Sequence, residues 1–319
     1  MTSDDQVTRG AQPRMTLGTM YFGTTVPQDV AERILDEAYD SGVRSWDTAN
    51  NYAFWVRGGS GDESEQCLGR WFRRHPERRD EISLATKVGA RPRPGARDLD
   101  EALGLSPAAI DSQLRASLRR SAADHVDLLY AHIDDTTVPL ADTLGAMEEL
   151  RQAGLVRRIG ASNLTASRLR TAIEVGGHGG GYRFLQQRFS YLWPAADADI
   201  APHVLLDEAV VAECSAAGIA MLGYSPLLSG AYTRADRPLP SGYATQHCNA
   251  MLQSLADVAA WVGLDMGQTV LAWMGQRSTP VWPVVGVSTP EQLRSAVTAV
   301  ETRLPDDALA ALDAARMEQ

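Results

Sequence analysis

The sequence predicts an α/β protein, a single (β/α)8 TIM barrel with extended βα loops and an extra C-terminal helix. Two observations carry that prediction. Short apolar runs alternate eight times with stretches of helical period, and such alternation requires parallel strands joined by helical crossovers. No break in composition divides the chain, and 319 residues suit one closed barrel. The domain is therefore expected to span 1–319, with 1–14 as a flexible N-terminal segment. The runner-up is an open doubly wound sheet. Its nucleotide-binding form needs G-x-G-x-x-G after the first strand, which "LGTMYFG" does not supply.

The elements follow in order. "MTLGTMYFG" (15–23) reads as the first strand, punctuated by glycine. "QDVAERILDEAYDSG" puts Val30, Ile34, Leu35 and Ala38 on one helical face and stops at Gly42. "VRSWD" is the second strand. "DESEQCLGRWFRR" is a helix with acid at its start and base at its end, as the helix dipole prefers. "EISLATK" is the third strand. In "SPAAIDSQLRASLRRS", Ser106 is placed to cap and Pro107 suits the first helical turn. "HVDLLYAHI" is strand four, "LADTLGAMEELRQAG" a helix, "VRRIGAS" strand five and "TASRLRTAIEVG" a helix. "GGHGGG" (176–181) reads as a flexible link into strand six, "FLQQRFSYL". "DEAVVAECSAAG" is a helix and "IAMLGYSPL" strand seven. An irregular segment runs from Leu228 to about Cys248, and helical stretches up to Arg277 lead to strand eight, "PVWPVVGV". "TPEQLRSAVTAVET" and "PDDALAALDAARM" close the chain as helices.

Bulk properties narrow the function classes. With 44% hydrophobic and 22% charged residues, a large core is available. A net charge of -10 argues against a nucleic-acid-binding surface and for a soluble, dispersed protein. Cys67, Cys214 and Cys248 are far apart and form no C-x-x-C pair, which fits a reducing compartment. The N-terminus has no signal-peptide pattern and no apolar run is long enough to span a bilayer. A cytoplasmic protein without membrane partners is expected.

In a (β/α)8 barrel, functional side chains stand at the C-terminal ends of strands and in the loops that follow. Polar residues fall at those places repeatedly: Asp47 with Tyr52 just after it, Lys87, His132, Ser162 and Asn163, Gln186 and Gln187, Tyr224 and Ser225. Each has an ordinary explanation alone. Asp47 and its asparagines form loops, Lys87 can snorkel, His132 can be a bonded core residue, and Ser162 or Asn163 can cap a helix. Together they crowd one barrel mouth, and a lysine closing an apolar strand is costly unless paired. "HIDD" hints at a metal, but the six histidines are scattered and no metal is expected. A chemical account covers the set. A tyrosine is a poor acid at neutral pH, a nearby lysine cation lowers its pKa, and an aspartate makes the lysine tolerable. A histidine beside them bonds a carbonyl oxygen. Such a site polarises C=O and moves a proton while a cofactor supplies the hydride, which no side chain can.

These pieces, "LGTMYFG", "WDTANNY", "ATK", "LLYAHI", "IGASN", "QQRFSY", "GYSPL" and "VVGVSTPEQL", together resemble the aldo-keto reductase superfamily, bacterial NAD(P)H-dependent members included, over nearly the whole chain. The resemblance implies Tyr52 as general acid/base, Lys87 as its pKa-lowering partner, Asp47 as the lysine's partner and His132 as orienter of the carbonyl. It implies a nicotinamide cofactor bound without a Rossmann fold. Ser162, Asn163 and Gln186 would hold the carboxamide, with Gln186 chosen over Gln187 by its spacing to Phe189 and Ser190. Tyr224 would stack on the nicotinamide, Ser225, Leu227 and Gly230 would approach the pyrophosphate, and Gly18, Thr19 and Met20, with Asp47, would lie near the nicotinamide end.

At the adenosine end the chain departs from the pattern. Gly286, Val287, Ser288 and Gln292 fall in the binding stretch, but Gly286 and Gln292 stand where many members carry cations for the 2'-phosphate. Arg294 is a near substitute. NADPH is expected as cofactor, with NADH as the alternative. The loop "AFWVRGGSGDESE" is longer than the family's usual link. It would carry Phe54, Trp55 and Arg57 over the mouth, where Tyr21, Phe22 and Trp193 complete an aromatic wall for a bulky carbonyl substrate, such as a sugar derivative or secondary metabolite. Two rivals stand beside this reading: a Schiff-base aldolase using Lys87, and a cofactor-binding regulatory barrel without turnover. The oligomeric state is not legible.

Overall fold

The structure, a computed structural model, describes residues 14–96, 98–177 and 181–317. The N-terminal segment expected to be flexible lies outside these residues except for Arg14, and so do residues 178–180 of the glycine-rich link. Eight parallel strands close into one barrel in chain order. They are β1 (Thr16–Gly18), β2 (Ser45–Asp47), β3 (Ser83–Val88), β4 (Val126–Ala131), β5 (Val156–Ser162), β6 (Phe184–Arg188), β7 (Ala220–Tyr224) and β8 (Trp282–Gly286). The seam between β8 and β1 sets Gly286 opposite Gly18. The helices are α1 (Gln28–Asp40), α2 (Glu63–Arg74), α3 (Pro107–Ser121), α4 (Leu140–Gln152), α5 (Ala166–Gly176), α6 (Glu208–Ala217), α7 (Gln246–Val262), α8 (Met266–Gln276), α9 (Pro290–Glu301) and α10 (Asp306–Met317).

The strands are shorter than their apolar runs. The first stops at Gly18 because, after the last ladder bond from Thr19 N to the Asp47 carbonyl, the chain folds into turns, Phe22 N to Thr19 O and Gly23 N to Val26 O. The helices begin where their caps stand. Ser106 Oγ accepts from Ala109 N, with Pro107 in the first turn. Thr165, not Ser162 or Asn163, caps α5. Asp265 and Gln268 form a capping box on α8. The irregular stretch after β7 holds two short 3-10 turns, and α7 starts slightly before Cys248.

Strand side chains alternate between two cores. Ala85, Leu128 and Tyr130, with Phe184, fill the barrel interior. The larger core lies between sheet and helices. There Trp46 of β2 meets Trp71 of α2 edge-on at 4.8 Å and stacks on Phe72 at 5.8 Å. The alternation matters most on β6. Gln186 Nε2 crosses the interior to Asp47 Oδ2 at 2.9 Å, while Gln187 turns outward and clamps Leu164 with both ends of its amide.

Candidate active site

Asp47 ends β2 inside the barrel, 0% exposed, and Lys87 of β3 is 1% exposed. Two charges this deep persist only as a pair with every donor used. The Lys87 ammonium has three N–H groups and three acceptors: Asp47 Oδ1, Thr48 O at 3.0 Å and Tyr52 Oη at 2.5 Å. The Tyr52 hydroxyl donates to Asp47 Oδ1 at 3.0 Å, and Gln186 serves Oδ2. The sequence interval of five residues thus closes in space through the loop "TANN". Its backbone is pinned by Thr48 N to Ala85 O and Asn50 N to Lys87 O. The asparagines are loop-formers as expected: Asn50 Nδ2 bonds Gln113 and Asn51 Nδ2 bonds the Ala90 carbonyl.

The charges set the resting protonation. Burial first, then Asp47, hold the Tyr52 hydroxyl well above the ordinary tyrosine value of 10. That direction is opposite to the one expected for a lysine-activated phenol. Ionising Tyr52 beside Asp47 would leave two negative charges against one lysine in a dry site. Lys87 is itself held below its usual range by burial, with Asp47 opposing. His132 follows β4 and meets the Tyr52 ring edge-on, centroids 5.9 Å apart. Burial, and then the Lys87 charge, keep its imidazole well below 6.5, so it is neutral. Its Nδ1 is buried without a protein partner among the described residues.

Around this centre stand the residues expected to hold a cofactor. Asn163 has a left-handed backbone, φ 58°, and Ser225 has φ 55°. Non-glycine residues held there cost energy and cluster at functional sites. The Asn163 amide is fully used. Its Nδ2 donates to the His132 carbonyl and Ser162 Oγ, both at 3.0 Å, and its Oδ1 accepts from Val204 N and Tyr224 Oη. The Ser162 hydroxyl keeps its own proton for a further acceptor. After β7, Leu228, Ser229 and Gly230 are also left-handed. Thr19 does not face the mouth with its hydroxyl. It is fully buried and bonded to the Asp47 carbonyl and Ser64 Oγ. Gly18 is buried beside β8, where an added Cβ would meet Val284 at 3.3 Å, and Met20 is half-buried.

At the other end Gly286 and Ser288 are exposed, Val287 is buried, and Gln292 folds back to accept from Ser288 N at 2.7 Å. Arg294 is no substitute cation there. Its guanidinium turns to α1 and is divided between Glu37 at 2.6 Å and Glu291 at 2.7 Å. Of the aromatic wall, Trp55 (51% exposed) and Tyr21 (38%) are open to solvent. Phe54 packs edge-on against Trp55 at 5.2 Å, Arg57 is exposed, and Trp193 is half-buried under the Arg316 guanidinium at 4.1 Å. Phe22 is not part of a wall: it is 1% exposed and belongs to the core beneath the first loop.

The frame behind the tyrosine loop is not legible in the sequence. Glu65 is fully buried, accepting from Thr86 Oγ1 at 2.6 Å and pairing with Arg120 at 2.6 Å. Arg120 and Arg91 both reach Asp62, and Arg91 also holds the Asn50 and Ser60 carbonyls. Only the dipole-favoured acids of α2 were visible in sequence. Their partners are tens of residues away.

The model of the aldo/keto reductase family matches residues 14–317. The chain belongs to the aldo/keto reductase family. Among curated relatives, an uncharacterized oxidoreductase of Bacillus subtilis, YrpG, is 32% identical, covering 94% of this chain and 91% of that protein. The aldo-keto reductase yakc [NADP(+)] of Schizosaccharomyces pombe is 28% identical, covering 92% and 82%. Norsolorinic acid reductase stcV of Emericella nidulans is 27% identical, covering 92% and 75%. This aldo/keto reductase is thus an oxidoreductase working with a nicotinamide cofactor. Asp47, Lys87 and Tyr52 stand as in the family's acid/base site for hydride transfer.

Proposed function

We propose that this aldo/keto reductase reduces an aldehyde or ketone to an alcohol, with Tyr52 as proton donor and NADPH as cofactor. The observation that carries it is the neutral Tyr52 hydroxyl, bonded to both Lys87 and Asp47. The nicotinamide cofactor, when bound, supplies the hydride. Everything else falls to the chain. His132, kept neutral by burial, offers an N–H to the carbonyl oxygen and polarises it. The Tyr52 proton turns from Asp47 to that oxygen, and the phenol oxygen left behind is held by the Lys87 ammonium. Asp47 keeps Lys87 charged and in place. The Lys87 ammonium has all three N–H groups spent, which disfavours a Schiff-base role: a nucleophilic amine needs a free lone pair.

The residues fit a nicotinamide cofactor. The Ser162 hydroxyl and Gln186 amide offer bonds to a carboxamide, and Asn163 joins if its bond to Ser162 exchanges. The Tyr224 ring offers a stacking face. The left-handed run at Ser225 and Leu228 to Gly230, beside Leu227, bends the backbone as anion-cradling loops do. Gly18 and Met20 are assigned to the nicotinamide end, and Gly286, Val287, Ser288 and Gln292 to the adenosine end. NADPH is supported by the resemblance and by the NADP(+) in the name of the fission-yeast relative. The one wall of the substrate site is taken as Tyr21, Phe54, Trp55 and Trp193, suited to a bulky sugar or secondary-metabolite carbonyl.

The test is steady-state oxidation of NADPH with an aromatic aldehyde such as 4-nitrobenzaldehyde. Turnover that is lost in Tyr52→Phe supports the proposal. Tight NADPH binding without turnover across a broad carbonyl panel would replace the enzyme with a cofactor-binding regulatory barrel.

A further inference from the structure

One residue of the loop after β6 touches the nicotinamide end of the site and has no role in the account above. His203 Nδ1 lies 2.9 Å from Tyr224 Oη, with the rings edge to face and centroids 5.7 Å apart. The same phenol oxygen lies 2.7 Å from Asn163 Oδ1. Which end of the Asn163 amide is oxygen is fixed independently, because its Nδ2 donates to the His132 carbonyl and its Oδ1 accepts from Val204 N at 3.1 Å.

Counting protons then settles the direction of each bond. An amide oxygen carries no hydrogen, so two oxygens at 2.7 Å are bonded only if the single Tyr224 proton lies between them. The Tyr224 oxygen is therefore the acceptor toward His203, and His203 Nδ1 carries a hydrogen. The segment is anchored beside this contact, since Arg188 N donates to the Val204 carbonyl at 3.0 Å and Leu206 N to the Arg188 carbonyl at 3.0 Å. His203 is thus fixed at the rim while donating inward.

We propose that His203 is a positioning residue for the nicotinamide platform. Its Nδ1–H fixes the phenol of Tyr224, which fixes the ring plane and, through Asn163, the amide bonded behind His132. The proposal rests on the assignment of Tyr224 and Asn163 to the nicotinamide end made under the proposed function. It makes the loop after β6 part of cofactor recognition.

The experiment measures NADPH dissociation constants by quenching of tryptophan fluorescence in wild type and in His203→Ala, His203→Phe and His203→Asn. Asparagine keeps an N–H near the position of Nδ1, and phenylalanine keeps the ring without a donor. Loss of one hydrogen bond predicts NADPH binding about 3- to 10-fold weaker in the alanine and phenylalanine variants. The asparagine variant should stay within about twofold of wild type, since it keeps the donor. All four proteins should bind 2'-phospho-ADP-ribose, which lacks the nicotinamide ring, with equal affinity. Unchanged NADPH affinity in His203→Ala overturns the proposal, as does an asparagine variant as weak as alanine. An equal loss for the ring-less fragment also overturns it, because His203 would then be merely structural. Wild type binding neither NADPH nor NADH overturns the cofactor assignment and this proposal together, and is recognised without any variant.

Discussion

The Tyr52 oxygen accepts from Lys87 and donates to Asp47, so one atom carries both the proton and its stabiliser. Tyr52→Phe removes that atom and leaves the ring. Cofactor affinity should change little while kcat falls about 10²- to 10⁴-fold, the usual worth of a positioned acid. A variant reducing aldehydes at the wild-type rate would remove Tyr52 from the chemistry. Lys87→Met strands Asp47 without its counter-charge, and denaturant unfolding should report a loss of about 3–5 kcal/mol. His132 gives a pH signature. Its folded pKa lies below 6.5, so in that window the unfolded chain holds more protons and stability falls as pH falls. The thermal midpoint of wild type should drop below pH of about 6.5, and that of His132→Gln should drop less. Equal drops would show that His132 does not carry the effect. Asp47, Lys87 and His132 were legible in sequence because each ends an apolar run, and Tyr52 because it follows Asp47 across a short polar loop. The direction of the tyrosine pKa was not, because it depends on how many charges share a volume that only the closed barrel encloses.

At the scale of elements, the loop between β2 and α2 is the extended one, and it is built on close backbone contacts. Ala53 is left-handed at φ 63°, directly after Tyr52, and a Cβ added to Gly59 would sit 2.2 Å from the Ala53 carbonyl oxygen. Gly59→Ala must therefore reshape the loop that holds Tyr52. We expect a loss of kcat/KM together with a stability cost of about 1–3 kcal/mol, the range for overpacking. A variant with wild-type kinetics and midpoint would show that this contact is dispensable. The helices were legible nearly to their caps, since the 3.6-residue period and capping residues are local signals. The strands were over-extended, above all β1, because their ends are set by bonds to neighbouring strands. The Glu65–Arg120 pair and the Arg91 clamp were invisible for the same reason: their partners are distant in sequence.

For the whole molecule, the closed order of parallel strands brings their C-terminal ends, from Gly18 to Gly286, to one mouth. The stretch proposed for the adenosine end is the weakest match to the family pattern. With Arg294 committed to Glu37 and Glu291, a 2'-phosphate bound as proposed would meet neutral groups at Ser288 and Gln292. The kcat/KM ratio of NADPH to NADH should favour NADPH by no more than about tenfold, short of what a bidentate cation would give. A ratio in favour of NADH would overturn the choice of cofactor. The amide of Gln186 has a wider consequence. It spans the barrel from β6 to serve Asp47, at the place assigned to the carboxamide. Any ligand that draws off that N–H takes a donor from the carboxylate on which Lys87 and Tyr52 both depend. One side chain therefore joins the place proposed for the carboxamide to the carboxylate behind the proposed proton donor.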